Sequence, residues 1–355
     1  MPESPLALWS TRLTFAARQS GRVAWYAAHG ALLRRMVARI NAQSSEPRRP
    51  IKRPSRPVVP MRRLFADVAA LLARDLANVE RGLYPMPSDD DGGLPRLLAT
   101  SRAFFRDVPE VERRRRQGLH AEVPISGEAN RPDYYLQNFH FQSGGWLTEE
   151  SARLYDMQVE VLFGGAANAM RRQALVPLSE ALKGRDQRRV RYADIACGPG
   201  TFLGEVRRAF PRLPAFAIDL SEPYLREAKR RLGRRPKLGF AVAKAEALPL
   251  ADNSLDIATC IFLFHELPPE VRRTVAEEIA RVLKPGGLLV FLESLQIGDD
   301  PDYDGLLELF PELFHEPYFA SYLEDDLAAI FGAAGLSLES STNAFLSKVV
   351  TLRKA

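Results

Sequence analysis

Two cysteines, Cys197 and Cys260, are all that the 355 residues carry. That is too few for a disulfide framework, so the chain is expected in a reducing cytoplasm. No apolar run approaches the roughly 18 residues that a membrane-crossing helix needs. The five histidines show no ligand spacing such as H-E-x-x-H, so no metal is expected. Internal repeats are absent too, which excludes solenoids and propellers. What remains is ordinary for a globular chain: 46% hydrophobic and 26% charged residues, enough for one large domain or two.

The net charge of +5 hides an asymmetry. Residues 1–63 hold 13 Arg or Lys against only Glu3 and Glu46, whereas the remaining 292 residues hold 36 basic and 42 acidic side chains. The body is mildly acidic, and any attraction to anionic partners belongs to the N-terminal arm. Within the arm, Leu6–Ile40 has helical periodicity. Leu6, Trp9, Leu13, Ala17, Ala24, Ala27, Ala31 and Ile40 share a stripe, and Gly21 and Gly30 are expected to weaken or divide the helix. It can pack on the body or a second subunit, lie on an anionic membrane surface, or serve as a targeting peptide. Ser44–Pro60 alternates prolines with Arg48, Arg49, Lys52, Arg53 and Arg56. It is expected to be an extended, solvated tether.

Helical patterns return at Leu64–Leu83 and Leu94–Arg116, the latter ending in the solvated-looking run Arg113–Arg116. Tyr134, Tyr135, Phe139, His140, Phe141 and Trp146 then crowd into thirteen residues before Thr148, which can cap a helix running to about Gly164. From about Arg189 strands and helices alternate, as in a parallel α/β sheet. Strands are expected at 189–195, 215–218, 238–242, 256–261 and 287–293. A closing pair at 336–341 and 344–352 would turn at Ser341-Thr342-Asn343.

The most informative stretch is Asp194-Ile195-Ala196-Cys197-Gly198-Pro199-Gly200, an acid ending a strand and a glycine turn opening a helix. Glycine lets a backbone approach a ligand where a side chain would collide. The next strand ends in Asp219, positioned to accept from ribose hydroxyls as acids do after the second strand of dinucleotide folds. The turn is not the dinucleotide fingerprint, because Leu203 occupies the place of the third glycine.

This turn resembles motif I of the class I S-adenosylmethionine-dependent methyltransferases, with Ala196 replacing the first glycine. Three further pieces follow in the family's order: Asp219, the stretch Ala245-Glu246-Ala247-Leu248-Pro249-Leu250 leading to Asp252–Asp256, and Leu283-Lys284-Pro285-Gly286-Gly287. The resemblance covers roughly residues 151–355 and is nearest to quinone-ring C-methyltransferases. It implies a seven-stranded Rossmann-like sheet with a C-terminal antiparallel hairpin, which the mainly helical lid region at 64–150 and the arm at 1–63 precede in the chain. It also implies S-adenosylmethionine as cofactor. Asp194, Ala196, Gly198 and Gly200 would hold its methionine end, Asp219 the ribose, and Leu220, Ala245 and Glu246 the adenine. Cys260 and Ile261 would approach from the fourth strand. Lys244 departs from the Asp or Asn that often precedes the alanine.

Methyl transfer needs alignment of the reactants and, for a weakly acidic acceptor, removal of a proton. By the same resemblance, Ile261-Phe262-Leu263-Phe264-His265-Glu266 would face both sulfonium and acceptor, making His265 a candidate base beside Phe262 and Phe264. Alternatively His265 caps the next helix or packs under the sheet. Tyr134, Tyr135, Phe139 and Trp146 would either roof a small apolar or aromatic acceptor, with His140 as a second base candidate, or pack in the core. An aromatic insertion at Asp299–Phe319, which contains His315, would form the opposite wall. A nucleic-acid methyltransferase anchored by the arm is disfavoured by the acidic body. A nicotinamide oxidoreductase is disfavoured by the missing third glycine, while a cofactor-binding module without activity stays open.

Overall fold

The computed structural model describes residues 5–45, 48–89, 92–123, 131–233 and 237–355. Its centre is one seven-stranded sheet: β1 (Tyr192–Ile195), β2 (Ala215–Asp219), β3 (Leu238–Val242), β4 (Leu255–Ile261), β5 (Leu283–Ser294), β6 (Leu336–Ala344) and β7 (Ser347–Lys354). The order is β3-β2-β1-β4-β5-β7-β6. The first five strands run parallel, and β7 enters antiparallel between β5 and β6. This is the doubly wound, mostly parallel sheet with a terminal hairpin that the sequence implied.

β1 is buried at all four positions, as a central strand covered on both faces must be. Ile195 sits opposite Ile218 on β2 and Cys260 on β4. The chain order reverses across β1, so the carboxyl ends of β1, β2 and β4 border a crevice, the place where open α/β sheets bind ligands. Core side chains divide by sheet face. Ile195, Cys260, Phe264 and Phe291 join one cluster, while Cys197, Phe202, Leu203 and Val290 join the other. Strand adjacency therefore brings the two cysteine segments together, but their free, buried thiols enter different clusters.

The hairpin turns later than expected. Ser341–Asn343 stays paired within β6, opposite Lys348–Val350, and the reversal falls at Phe345-Leu346, with Phe345 at φ 62°. Polar residues at 340–343 sit on the solvent side of an edge strand, where they protect rather than break it.

Twelve helices lie around the sheet among the described residues. The N-terminal ones are α1 (Pro5–Gln43), α2 (Met61–Glu80), α3 (Gly93–Gln117), α4 (Glu149–Leu162), α5 (Ala167–Arg172) and α6 (Leu175–Leu182). They are followed by α7 (Thr201–Ala209), α8 (Glu222–Leu232), α9 (Pro269–Val282), α10 (Asp304–Leu313), α11 (Phe319–Leu323) and α12 (Leu327–Ala333). Thr148 caps α4 as expected, its hydroxyl accepting from the Ser151 amide at 3.1 Å.

The arm departs from its sequence reading in three ways. First, α1 is continuous through Gly21 and Gly30. Second, the buried face is Phe15, Gln19, Arg22, Tyr26 and His29, while Leu6, Trp9 and Leu13 are 83%, 63% and 66% exposed. The body offers that face polar partners. Arg22 pairs with buried Glu160 at 2.9 Å, Gln19 donates to Asp89 at 2.6 Å, and His29 meets Ser101 at 2.7 Å. Third, the proline-rich stretch from Arg48 onward is docked rather than tethered. Arg49 donates its amide to Arg116 O at 2.9 Å, Ser55 contacts Glu308, and Arg56 pairs with Asp304. Basic strap and acidic α10 thus complement one another, absorbing part of the charge asymmetry. The arginine run is also partly interior: Arg114 and Arg116 are buried, with Arg114 donating to Phe141 O at 3.0 Å.

Candidate cofactor and acceptor site

After β1 the backbone twists through left-handed conformations at Ala196 (φ 55°), Gly198 (φ 56°) and Gly200 (φ 76°). The two glycines serve different needs. A Cβ on Gly200 would lie 3.0 Å from that of Ala228, so this glycine lets α7 approach α8, whereas one on Gly198 would meet nothing within 4 Å. Gly198 leaves its space to the crevice. Ala196 adopts the left-handed conformation without glycine's freedom, at a cost of about 1–2 kcal/mol. Such strain is characteristic of functional sites.

Asp219 is held by backbone amides. Oδ2 accepts from Gly198 at 2.7 Å and Oδ1 from Ser221 at 2.7 Å. Burial raises its pKa to about 6, with these two hydrogen bonds opposing the rise. Asp194 lies beneath, 1% exposed. Its Oδ1 accepts from the Thr259 hydroxyl at 2.6 Å, and its buried Oδ2 has no hydrogen-bond partner. Burial pushes its pKa up to about 7.

A cavity opens above this floor. Ala196, Gly198, Asp219, Leu220, Ala245, Glu246 and Ile261 border it, as do Tyr134, Tyr135, Trp146 and Phe262. The expected cofactor and acceptor residues therefore meet in one volume. Tyr155, Ser221 and Tyr224 also line it, although no motif in the sequence marks them, and Leu263 and Glu266 do so from the segment after β4 that was expected to face the acceptor. Tyr134 donates to Glu246 at 2.6 Å, tying the aromatic segment to the loop after β3.

Five expected contacts lie elsewhere, Asp194 among them because it sits beneath the cavity floor without bordering it. Cys260 is fully buried because strand alternation turns it into the core. Phe264 packs against Phe291 and Phe331 at ring-centroid distances of 4.8 and 5.2 Å. Phe139 stacks on Trp146 at 4.0 Å, supporting the roof from behind. Gly200 belongs to the α7–α8 contact described above.

The two candidate bases join a carboxylate cluster. Glu293 Oε1 is 2.5 Å from His265 Nδ1, and its Oε2 accepts from the Phe264 amide at 2.7 Å. Burial disfavours the His265 imidazolium, but Glu293, with Glu266 and Glu316 behind it, raises the pKa to about 9. Neither His265 nor His140 borders the cavity; Glu266 does. His140 Nε2 lies 2.6 Å from Glu316 and 3.3 Å from Glu266. Burial again opposes the charged imidazole, and Glu316 with Glu266 holds its pKa at about 10. Glu266 is raised by burial and then by Glu316, whereas Glu316 is lowered despite its burial by His140, His265 and a hydrogen bond with Glu266. His140 and Phe141 have positive φ, 55° and 58°, and the His140 amide donates to His315 O at 3.1 Å. His315 itself meets Gln137 at 2.5 Å and stacks on His120.

The sequence-family profile described as a methyltransferase domain matches residues 193–287, the span from β1 into β5. Together with the sheet order and the crevice, this makes the region a methyltransferase domain of the class I S-adenosylmethionine-dependent type. A ubiquinone/menaquinone biosynthesis C-methyltransferase of Methylobacterium nodulans is 32% identical over 162 residues, covering 45% of this chain and 62% of that protein. A demethylmenaquinone methyltransferase of Renibacterium salmoninarum is 36% identical over 147 residues, covering 41% and 56%. The chain thus spans about three fifths of these relatives' length. A solved S-adenosylmethionine-dependent methyltransferase of Aquifex aeolicus aligns at 20% identity with a TM-score of 0.36, over 47% of this chain and 82% of that one.

The cavity suits the family's cofactor. Asp219 keeps a second lone pair on each oxygen, Gly198 offers open space, and Asp194 holds an unpartnered buried oxygen.

Proposed function

We propose that this protein transfers a methyl group from S-adenosylmethionine to a small, largely apolar or aromatic acceptor. The observation that carries the reading is the single cavity bordered by both Asp219 and the aromatic segment Tyr134–Trp146. When bound, S-adenosylmethionine supplies an electrophilic methyl: its S–CH3 bond breaks with the electron pair left on sulfur, one bond forms from the methyl carbon to the acceptor, and the acceptor's proton is released. In this reading residues 151–355 form the catalytic domain, 64–150 carry the lid, and 1–63 brace it.

Asp219 orients the cofactor through the ribose, and Gly198 admits it. Tyr134, Tyr135 and Trp146 exclude water and flank a flat acceptor, while Phe262 and Leu263 supply the facing apolar wall. The polar end is Glu266, through which the two-histidine, three-carboxylate cluster reaches the cavity. A quinone-like ring fits this distribution, and the names of the relatives support it. Calorimetry with S-adenosylmethionine, followed by mass spectrometry of small-molecule extracts incubated with it, tests the reading. Absence of cofactor binding by the folded protein would end it.

The exposed ridge Leu6, Trp9 and Leu13 supports a further proposal, peripheral attachment of α1 to an anionic membrane. Vesicle flotation at low and high salt tests it.

A further inference from the structure

Three of the five histidines follow phenylalanine, in Phe139-His140, Phe264-His265 and Phe314-His315, and the last two are followed by Glu266 and Glu316. The fold gathers atoms from all three segments into one cluster, of which Glu266 borders the cavity. His140 Nε2 and one carboxylate oxygen each of Glu266 and Glu316 lie within 4.8 Å of one another. We propose that His140, Glu266 and Glu316 bind a divalent first-row transition-metal ion, which holds an oxygen of the methyl acceptor.

The spacing is that of ligands around a common centre. Adjacent donors on an octahedral ion with bonds of about 2.1 Å stand about 3 Å apart, and here Nε2 is 2.6 Å from Glu316 and 3.3 Å from Glu266. Glu266 is 5% and Glu316 4% exposed, and the Oε2 atom of each is buried without a hydrogen-bond partner. Unpaired buried carboxylate oxygens are costly, and a cation held by these two carboxylates offsets part of that cost. The ion pairs made by Glu266, Glu293 and Glu316 are with His140 and His265.

The surroundings are those of a supported ligand set. Glu293 is fixed by the Phe264 and Ser294 amides, each at 2.7 Å, and engages His265 Nδ1. That leaves His265 Nε2 3.6 Å from Glu266. A carboxylate on one imidazole nitrogen and the metal on the other is the usual outer-sphere pattern, so His265 is a fourth ligand or a positioning residue. One imidazole with carboxylates selects Mn²⁺, Fe²⁺, Co²⁺ or Zn²⁺ over Mg²⁺ and Ca²⁺. The ligands come from three separate segments, which is why no linear motif announces them.

Because Glu266 borders the cavity, open coordination positions face the acceptor. A hydroxyl bound there loses its proton to solvent water at lower pH than the free hydroxyl would. The cation would then activate the acceptor in place of a base. The acceptor class this predicts is a ring or chain bearing an ionisable hydroxyl or a carbonyl oxygen beside the methylated atom.

The inference rests on the methyltransferase reading for the metal's role, but its test does not. Full-length protein freed of metal with EDTA is titrated with Co²⁺, following visible absorption, and with Mn²⁺, following the free-ion electron paramagnetic resonance signal. One ion per chain, with a ligand-field spectrum, is expected. His140→Ala and Glu316→Gln should each abolish stoichiometric binding, and Glu293→Gln should weaken it about 10–100-fold. Folded wild-type protein that binds neither ion, or variants that bind as wild type does, would overturn the site. Loss of S-adenosylmethionine binding with cation binding intact would instead overturn the methyltransferase reading alone.

Discussion

Asp219 Oδ2 accepts the Gly198 amide at 2.7 Å, so the acid ending β2 is locked to the turn that follows β1. The bond sets the carboxylate's direction before any ligand arrives, leaving further lone pairs for two ribose hydroxyls. Asp219→Ala should therefore weaken S-adenosylmethionine binding by about 1.5–3 kcal/mol, the scale of hydrogen bonds to a charged group. Calorimetry on the folded variant measures it, and unchanged affinity would remove Asp219 from the cofactor site.

Acidity should act on the same contact. Asp219 has a pKa near 6 in the free protein, and ribose hydroxyls favour its ionised form. Affinity should fall as pH drops through about 6, with proton release on binding near that pH, seen as a buffer-dependent calorimetric enthalpy. Asp194 acts oppositely on stability. Its folded pKa of about 7 lies above the ordinary value of 3.8, so between those values the native state binds more protons than the unfolded state. Its contribution is then most favourable at low pH and declines as pH rises towards about 7. Asp194→Asn should gain thermal stability relative to wild type when both move from pH 5 to pH 8.

Much of this architecture is legible in the residue order. The Asp194–Gly200 turn, Asp219 and the alternation of strands lead to the sheet order and to one wall of the cavity, because those features are local. The acceptor end is not local. Glu266, Glu293 and Glu316 meet His140 and His265 only after the sheet and the insertion beyond β5 have folded. The docking face of α1 is hidden from the sequence for a related reason: it is chosen by Glu160, Asp89 and Ser101 on the body, not by the helix's most apolar stripe.

Arg172 fastens the helical region to the domain. It donates to Asp75 from Nε at 3.0 Å and from Nη2 at 2.6 Å, and to Asp89 at 2.7 Å, with Arg172 1% and Asp75 0% exposed. Arg172→Ala strands two buried carboxylates and should cost about 3–5 kcal/mol of stability in urea unfolding. A loss under about 1 kcal/mol would show that water reaches the pair.

The strap should respond to one added methyl group. A Cβ on Gly305 would stand 2.3 Å from Pro57 O and 2.5 Å from Arg56 O, both backbone atoms. Gly305→Ala should lift the strap from α10 and expose its arginines to trypsin. Faster cleavage within 48–56 than in wild type is expected, with little change in cofactor affinity, since no cofactor residue touches the strap. Equal cleavage rates would mean that the strap is held mainly by its ion pairs.

Tyr134 and Glu246 give the cavity a latch. The hydroxyl donates to the carboxylate at 2.6 Å, and both residues border the space where adenine and acceptor would meet. Burial and Glu246 together push the Tyr134 pKa above its ordinary value, so the hydroxyl keeps its proton and the hydrogen bond persists across the neutral range. Tyr134→Phe keeps the ring and removes only the donor. Cofactor association and dissociation should both quicken by stopped-flow fluorescence, with the equilibrium constant changed less than either rate. A change in affinity carried wholly by dissociation would instead show that Glu246 grips the cofactor and that Tyr134 merely holds it in place.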